Sequence, residues 1–134
     1  MSQDPVAIVK TFARAISTQD VHALAGLMTP DHVFVDSDGS ETRGRDQMRA
    51  GWAQYFRMFP DYRIDVQETY SRGRVVVLVG TAEGTYAVAG ELRTENHWCV
   101  PAVWRAVVRE GAIQEWRVYV NVEPIAQIMA KHQT

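Results

Sequence analysis

The hydrophobic period of this chain changes at Tyr62, from about 3.6 residues to 2. Before that point apolar side chains recur at helical spacing. Val9, Phe12, Ala13 and Ile16 make one stripe, Val21, Leu24, Leu27 and Met28 a second, and Met48, Trp52, Tyr55, Phe56 and Phe59 a third. After it they alternate, with Tyr62, Ile64 and Val66 set against Arg63, Asp65 and Gln67. Helices collected at the front and long alternating strands behind them define an α+β fold, three N-terminal helices packed on an antiparallel sheet. A strongly bent sheet wrapped around helices is a cone, and a cone leaves a cavity.

Local signals place the boundaries. Asp4-Pro5 opens the first helix as cap and first-turn residue, and Asp20 caps the second. Thr29-Pro30-Asp31 ends that helix and leads into a strand on which Phe34 and Asp36 share one face, Val33 and Val35 the other. Arg43-Gly44-Arg45-Asp46 starts the third helix, and Phe59-Pro60-Asp61 stops it. Ser71-Arg72-Gly73-Arg74 and Arg109-Glu110-Gly111 read as hairpin turns, while Gly80 and Gly84 mark a bulge or a bend. Ala89-Gly90 turns the chain into a strand from Leu92 to Val108, bulged at Pro101, and Ile113 to Val122 is the last strand. Glu123-Pro124 then opens a short helix through Ile125, Ile128 and Met129. With no repeat, linker or low-complexity tract, residues 1–134 are expected to form one domain.

A net charge of -2 gives nucleic acid or an acidic membrane no basic face to hold. The single cysteine, Cys99, excludes an internal disulfide and suits a reducing cytoplasm; with no basic partner it reads as a packed thiol. Met1-Ser2-Gln3-Asp4-Pro5 lacks the basic-then-apolar pattern of an export signal, and no apolar run has the length of a membrane span. A cytoplasmic location is expected. His22, His32, His97 and His132 form no metal-ligand spacing, so no metal and no cofactor is expected, and His97 beside Trp98 is the one candidate proton shuttle.

Four tryptophans, five tyrosines and four phenylalanines are many rings for a small core, and tryptophan often lines cavities. Phe12, Ile16, Phe34, Trp52, Phe56, Phe59, Trp98, Trp104 and Trp116 are expected on the cavity wall, with Tyr55 and Tyr86 among the ligand-binding candidates. The candidate catalytic residue is Asp36. If apolar surroundings enclose it, its carboxylate becomes a proton acceptor; otherwise it is a turn residue bonded to the backbone of Ser37-Asp38-Gly39. On the last strand, Arg117, Tyr119 and Asn121 alternate with apolar residues and face away from the cone. With Arg105 they suit an interface between two copies.

This order of elements resembles the nuclear-transport-factor-2-like superfamily, from about Asp4 to Glu123. The motifs that carry the resemblance are the Gln19-Asp20 break, the Val33-to-Gly44 strand and turn, and Trp52-Ala53-Gln54-Tyr55-Phe56 with Phe59-Pro60-Asp61. Val100-Pro101-Ala102-Val103 and the stretch from Glu110 to Asn121 complete them. The superfamily includes ketosteroid isomerases, limonene epoxide hydrolases and SnoaL-like polyketide cyclases.

Asp36-Ser37-Asp38-Gly39-Ser40-Glu41-Thr42-Arg43 is similar to the ketosteroid isomerase segment that carries the catalytic base, and Asp36 falls on that base. The isomerase's oxyanion tyrosine falls on Phe12, its second acid on Val103 or Trp104, and the epoxide hydrolase's last-strand Asp on Val118. Both of those mechanisms are therefore disfavoured. The resemblance implies a SnoaL-like lyase or isomerase, in which Asp36 abstracts a proton beside a carbonyl and Trp104, Tyr55 or Tyr86 supplies the oxyanion donor. Tyr86 stands near the usual SnoaL histidine position. It further implies an apolar or aromatic small-molecule ligand and a homodimer. The alternative reading is a non-catalytic binding protein of the same fold.

Overall fold

A computed structural model of the chain describes residues 4–133. Met1, Ser2 and Gln3, part of the stretch read for an export signal, lie outside the described residues. Helix α1 runs over Pro5–Ser17, capped by the Asp4 carboxylate, and α2 over Val21–Gly26, capped by Asp20. Strand β1 (Met28–Val35) forms a hairpin with the short β2 (Glu41–Arg43) before α3 (Arg45–Met58). Then come β3 (Arg63–Arg72), β4 (Val75–Thr85), β5 (His97–Arg109) and β6 (Ala112–Val120), and last α4 (Glu123–Ala130). One six-stranded sheet results, in the order β2-β1-β6-β5-β4-β3.

Every neighbouring pair is antiparallel except β1 with β6, which run parallel. Several boundaries differ from the expected ones, each for a local reason. Leu27 and Met28 do not extend α2. Leu27 closes the helix and its carbonyl accepts the Ile113 N–H at 2.7 Å, which draws Met28 into β1. The β1–β6 register shifts between Met28 and Val33, across Pro30, which has no N–H to give. Residues 92–96 do not join β5, because the chain turns at Ala89 and Gly90 and then makes a short 3-10 turn over Thr94–Asn96. Pro101 makes no bulge: it pairs with Thr81, and the ladder to β6 begins only at Ala102.

Packing divides the interior in two. Helix α1 drives Phe12 and Ile16, both fully buried, into the narrow half of the cone against Val76, Leu78, Ala106, Val108 and Ile113. His32 is sealed into this half as well. Its Nδ1–H donates to the Ile113 carbonyl at 2.7 Å, and its ring lies 6.4 Å from that of Phe12. Burial holds the imidazole's proton affinity below its ordinary value, so the folded protein keeps His32 neutral. Above about pH 6.5 neither state carries the proton, whereas below it the unfolded chain gains one that the fold resists. Stability is therefore expected to decline from pH 7 to 5, by at most about 1.4 kcal/mol per pH unit from this group. Urea titrations at several pH values check it, and the slope should shrink in His32→Gln.

The wide half stays open because its floor residues are small. Ala82 on β4 and Ala102 on β5 face inward there and Trp104 stands on its wall, whereas Leu78 fills the other half. The open half is the candidate site.

Candidate functional site

A cavity of about 390 Å³ lies between the sheet, α3 and α4, within the size range of small-molecule sites. Its floor is Ala82, Ala102, Val118 and Val120; α3 contributes Met48, Trp52, Tyr55 and Met58, and α4 contributes Ile125, Ala126 and Met129. Phe34, Phe59, Tyr62, Trp98, Trp104 and Trp116 complete an aromatic wall, with Asp36 and Thr42 at one end. The spacing of Trp52 and Tyr55 on one stripe of α3 brings them to the same side, their rings edge-on at 6.2 Å.

Of the residues expected on the wall, Phe34, Trp52, Tyr55, Phe59, Trp98, Trp104 and Trp116 are there. Phe12, Ile16, Phe56 and Tyr86 are not. Phe12 packs behind Trp116, with ring centroids 4.8 Å apart, so Trp116 is the partition between solid core and cavity. Phe56 stacks behind Trp52 at 5.4 Å. Tyr86 follows the end of β4 and lies between Phe59 and His132, each 5.9 Å away. Helical spacing alone puts Phe12 and Phe56 on an inward stripe without saying which half of the cone receives them.

Asp36 sits immediately after β1. Its N–H donates to Ser40 O, its carbonyl accepts from Gly39, and its Oδ1 accepts the Ser37 N–H at 2.7 Å. The side chain is exposed at the cavity end, not enclosed by apolar groups as one of the sequence readings required. Both alternatives are thus partly realised: one carboxylate oxygen serves the turn, and the residue still lines the cavity.

Tyr55 lines the same cavity and feels the charge of that carboxylate. Burial first, and the Asp36 charge second, push the Tyr55 phenol well above its usual ionisation range, so it holds its proton. Sequence reasoning missed Tyr62 as a site residue, although its alternation with Ile64 marked it as inward-facing. Its ring is edge-on to that of Tyr55 at 4.9 Å, and burial followed by the neighbouring Tyr55 raises its ionisation too. The indole N–H groups of Trp52 and Trp98 are buried without a partner among the described residues.

The remaining candidates lie elsewhere. Val103 is on the outer face, while Trp104 and Val118 face the cavity and bring no carboxylate there. His97 is outside the cavity: it bridges Thr85 Oγ1 at 3.0 Å and Glu83 at 3.1 Å, which removes the geometry for a shuttle into the site. Cys99, read as packed, is exposed. Among the described residues no cluster of His, Cys, Asp and Glu could hold a metal ion, and no helix is long and apolar enough to cross a membrane.

The family model for the SnoaL-like domain matches residues 9–116, most of the chain. The chain belongs to the SnoaL-like domain family. No curated protein matches the sequence. Among solved structures, this SnoaL-like chain is similar to a protein of ketosteroid isomerase-like fold from Catenulispora acidiphila, solved with trimethylamine. That match has 21% identity, covers 92% of each chain and has a TM-score of 0.78. A candidate SnoaL-like polyketide cyclase from a Jannaschia species matches at 19% identity over 94% of this chain and 91% of that one, with a TM-score of 0.81. IdmH, a candidate polyketide cyclase from Streptomyces antibioticus, matches at 20% identity over 95% and 99%, with a TM-score of 0.77. At these identities the likeness speaks for the fold alone.

Proposed function

We propose that the cavity binds an uncharged, planar and mostly apolar carbonyl compound, and that Asp36 moves a proton beside the carbonyl. The observation that carries this reading is the presence of Asp36 and Tyr55 on one cavity: an exposed carboxylate and a phenol that keeps its proton and feels its charge. The Ser37 N–H occupies Oδ1, so Oδ2 is the oxygen free to accept a proton. Asp36 Oδ2 takes the proton from the carbon next to the carbonyl, the C–H electron pair becomes the enolate double bond, and the carbonyl oxygen gains the negative charge. Tyr55 donates its O–H to that oxygen. Where a double bond extends the enolate, Asp36, now a neutral acid, returns the proton to the far carbon, which is isomerisation; where the enolate carbon attacks a second carbonyl and closes a ring, the first carbonyl re-forms and the new alkoxide takes the proton from Asp36. The residues need neither cofactor nor metal for these steps. Deuterium uptake beside the carbonyl of 2-tetralone in D2O tests it: wild type should accelerate uptake over buffer, and Asp36→Asn should not.

A non-catalytic binding protein is the second reading. The apolar wall at Val118 and the absence of any carboxylate beyond Asp36 among the cavity residues favour it. Under that reading the tetralone binds and its protons do not exchange.

Assembly follows from the outer sheet face. Val79, Val103 and Tyr119 lie side by side across three strands, and Tyr119 is 51% exposed. Arg105 and Arg117 oppose each other directly, a repulsive pair relieved by Glu115, which Arg105 reaches at 2.9 Å and Arg117 at 3.6 Å. Such a mixed apolar and arginine face suits a two-fold homodimer. Sedimentation equilibrium at micromolar concentration should show a dimer, and Val103→Glu should shift it to monomer; a wild-type monomer contradicts the proposal. The exposed Cys99 thiol fits a reducing compartment such as the cytoplasm.

A further inference from the structure

Gly51 stands in the middle of α3, where helix chemistry disfavours it. Glycine is the poorest helix former after proline, because the unfolded chain has most freedom there. A glycine in such a place is ordinarily held by a left-handed φ, by a break in the helix, or by a neighbour too close for a side chain. None of these applies. Its φ is right-handed, and α3 runs without a break from Arg45 to Met58. An added Cβ would meet only the flexible Met48 side chain, Sδ at 3.7 Å and Cε at 4.0 Å, which is ordinary contact.

The cavity gives the position a different meaning. Gly51 lines it and is itself exposed to solvent. Most of the wall is buried or half-buried; besides Gly51, its exposed members are Asp36, Val122 and Ala126. Exposed lining residues mark where a cavity opens, so on α3 the opening falls at Gly51. Met48, one turn earlier, and Trp52, the next residue, are both buried. On the side of α4 the exposed lining residues are apolar: Val122, whose side chain leaves that residue 46% exposed, and Ala126. Apolar surface left in water at the edge of a cavity favours an apolar group that covers it.

We propose that Gly51 determines which ligands the cavity accepts: the side chain it lacks leaves a mouth, through which an apolar chain attached to the bound ring runs out across Val122 and Ala126. This rests on the reading that the cavity binds a planar carbonyl compound; it adds the passage of a substituent and leaves proton transfer to Asp36. A residue that weakens α3 then stands where an open wall requires it.

The test compares 2-tetralone with 2-tetralones that carry a hexyl chain at successive ring positions, their dissociation constants read by quenching of tryptophan fluorescence. Each methylene taken out of water strengthens binding, so wild type should bind at least one hexyl ketone about tenfold or more tighter than the parent. Gly51→Leu should weaken that ketone at least about tenfold and hold 2-tetralone within about twofold, with Gly51→Ala between wild type and Gly51→Leu. Both substitutions bring better helix formers, and Gly51→Ala should raise Tm by about 3 °C, which separates a blocked mouth from a damaged fold. Asp36→Asn should keep the preference for the chain. No gain from the chain at any ring position, a Gly51→Leu variant that binds the hexyl ketone as wild type does, or one that weakens both ketones alike overturns the mouth at Gly51 alone. If 2-tetralone and every hexyl ketone fail to bind, the carbonyl-ligand reading falls with it.

Discussion

Replacing Gly80 with alanine is expected to destabilise the fold by about 3 kcal/mol or more, the upper part of the range for overpacking a core. Gly80 is buried on the inner face of β4, opposite the place where β3 bulges: Val66 pairs with Gly80 and Glu68 with Val79, leaving Gln67 as the extra residue. The bulge turns β3 inward until the main chain itself touches the glycine. A Cβ there would lie 1.8 Å from Asp65 O and 2.9 Å from Asp65 C. Those are backbone atoms, so no rotamer change relieves the clash, and β3 would have to detach or shift its register. For a chain of this length the loss corresponds to a drop in Tm on the order of 10 °C. Gly26→Ala is the control, because nothing lies within 4 Å of its added Cβ, and it should melt within about 2 °C of wild type. Thermal melts with urea titrations decide it; a Gly80→Ala variant as stable as the control would show that β3 is not held at that bulge.

That bulge is also a fair measure of what the sequence discloses. Gly80 and Gly84 interrupting an alternating run announce a bend, because glycine weakens a strand unless close approach requires it. Which neighbour approaches is a property of the paired strand: the atoms that meet Gly80 belong to Asp65 and Val66, on β3. The same holds at the site. Tyr55, Phe59, Trp98, Trp104 and Trp116 were legible as inward-facing from their periods alone. Phe12 and Phe56 share those periods, yet one packs behind Trp116 and the other behind Trp52, since the division of the interior depends on the small residues Ala82 and Ala102 on other strands. Leu92 was drawn into a strand by alternation, but the Ala89–Gly90 turn and the short helix after it override that pattern. Asp36 was legible as a strand-end carboxylate; that it divides its oxygens between turn and cavity is visible only in three dimensions.

The second large effect concerns that residue. Asp36→Asn keeps the side chain's size and the acceptor for the Ser37 N–H, and removes the proton acceptor. A positioned general base is worth about 10²- to 10⁴-fold, so exchange of 2-tetralone protons should fall at least about a hundredfold. Tyr55→Phe should lower it by about a hundredfold as well, through loss of the oxyanion donor. Because the Tyr55 ionisation lies above its ordinary range, exchange should not decline near pH 10, where a free phenol loses its proton.

One measurement brings the enzyme and the binding protein into direct opposition: deuterium uptake by 2-tetralone and quenching of tryptophan fluorescence, followed over the same concentration series in wild type and Asp36→Asn. With Trp98, Trp104 and Trp116 all on the cavity wall, occupancy is visible in the quench. Uptake and quench should saturate together in wild type, and Asp36→Asn should keep the quench within about twofold in affinity while losing the uptake. A wild-type protein that quenches fully and exchanges no faster than buffer, or an Asp36→Asn variant that exchanges as fast as wild type, contradicts the catalytic reading.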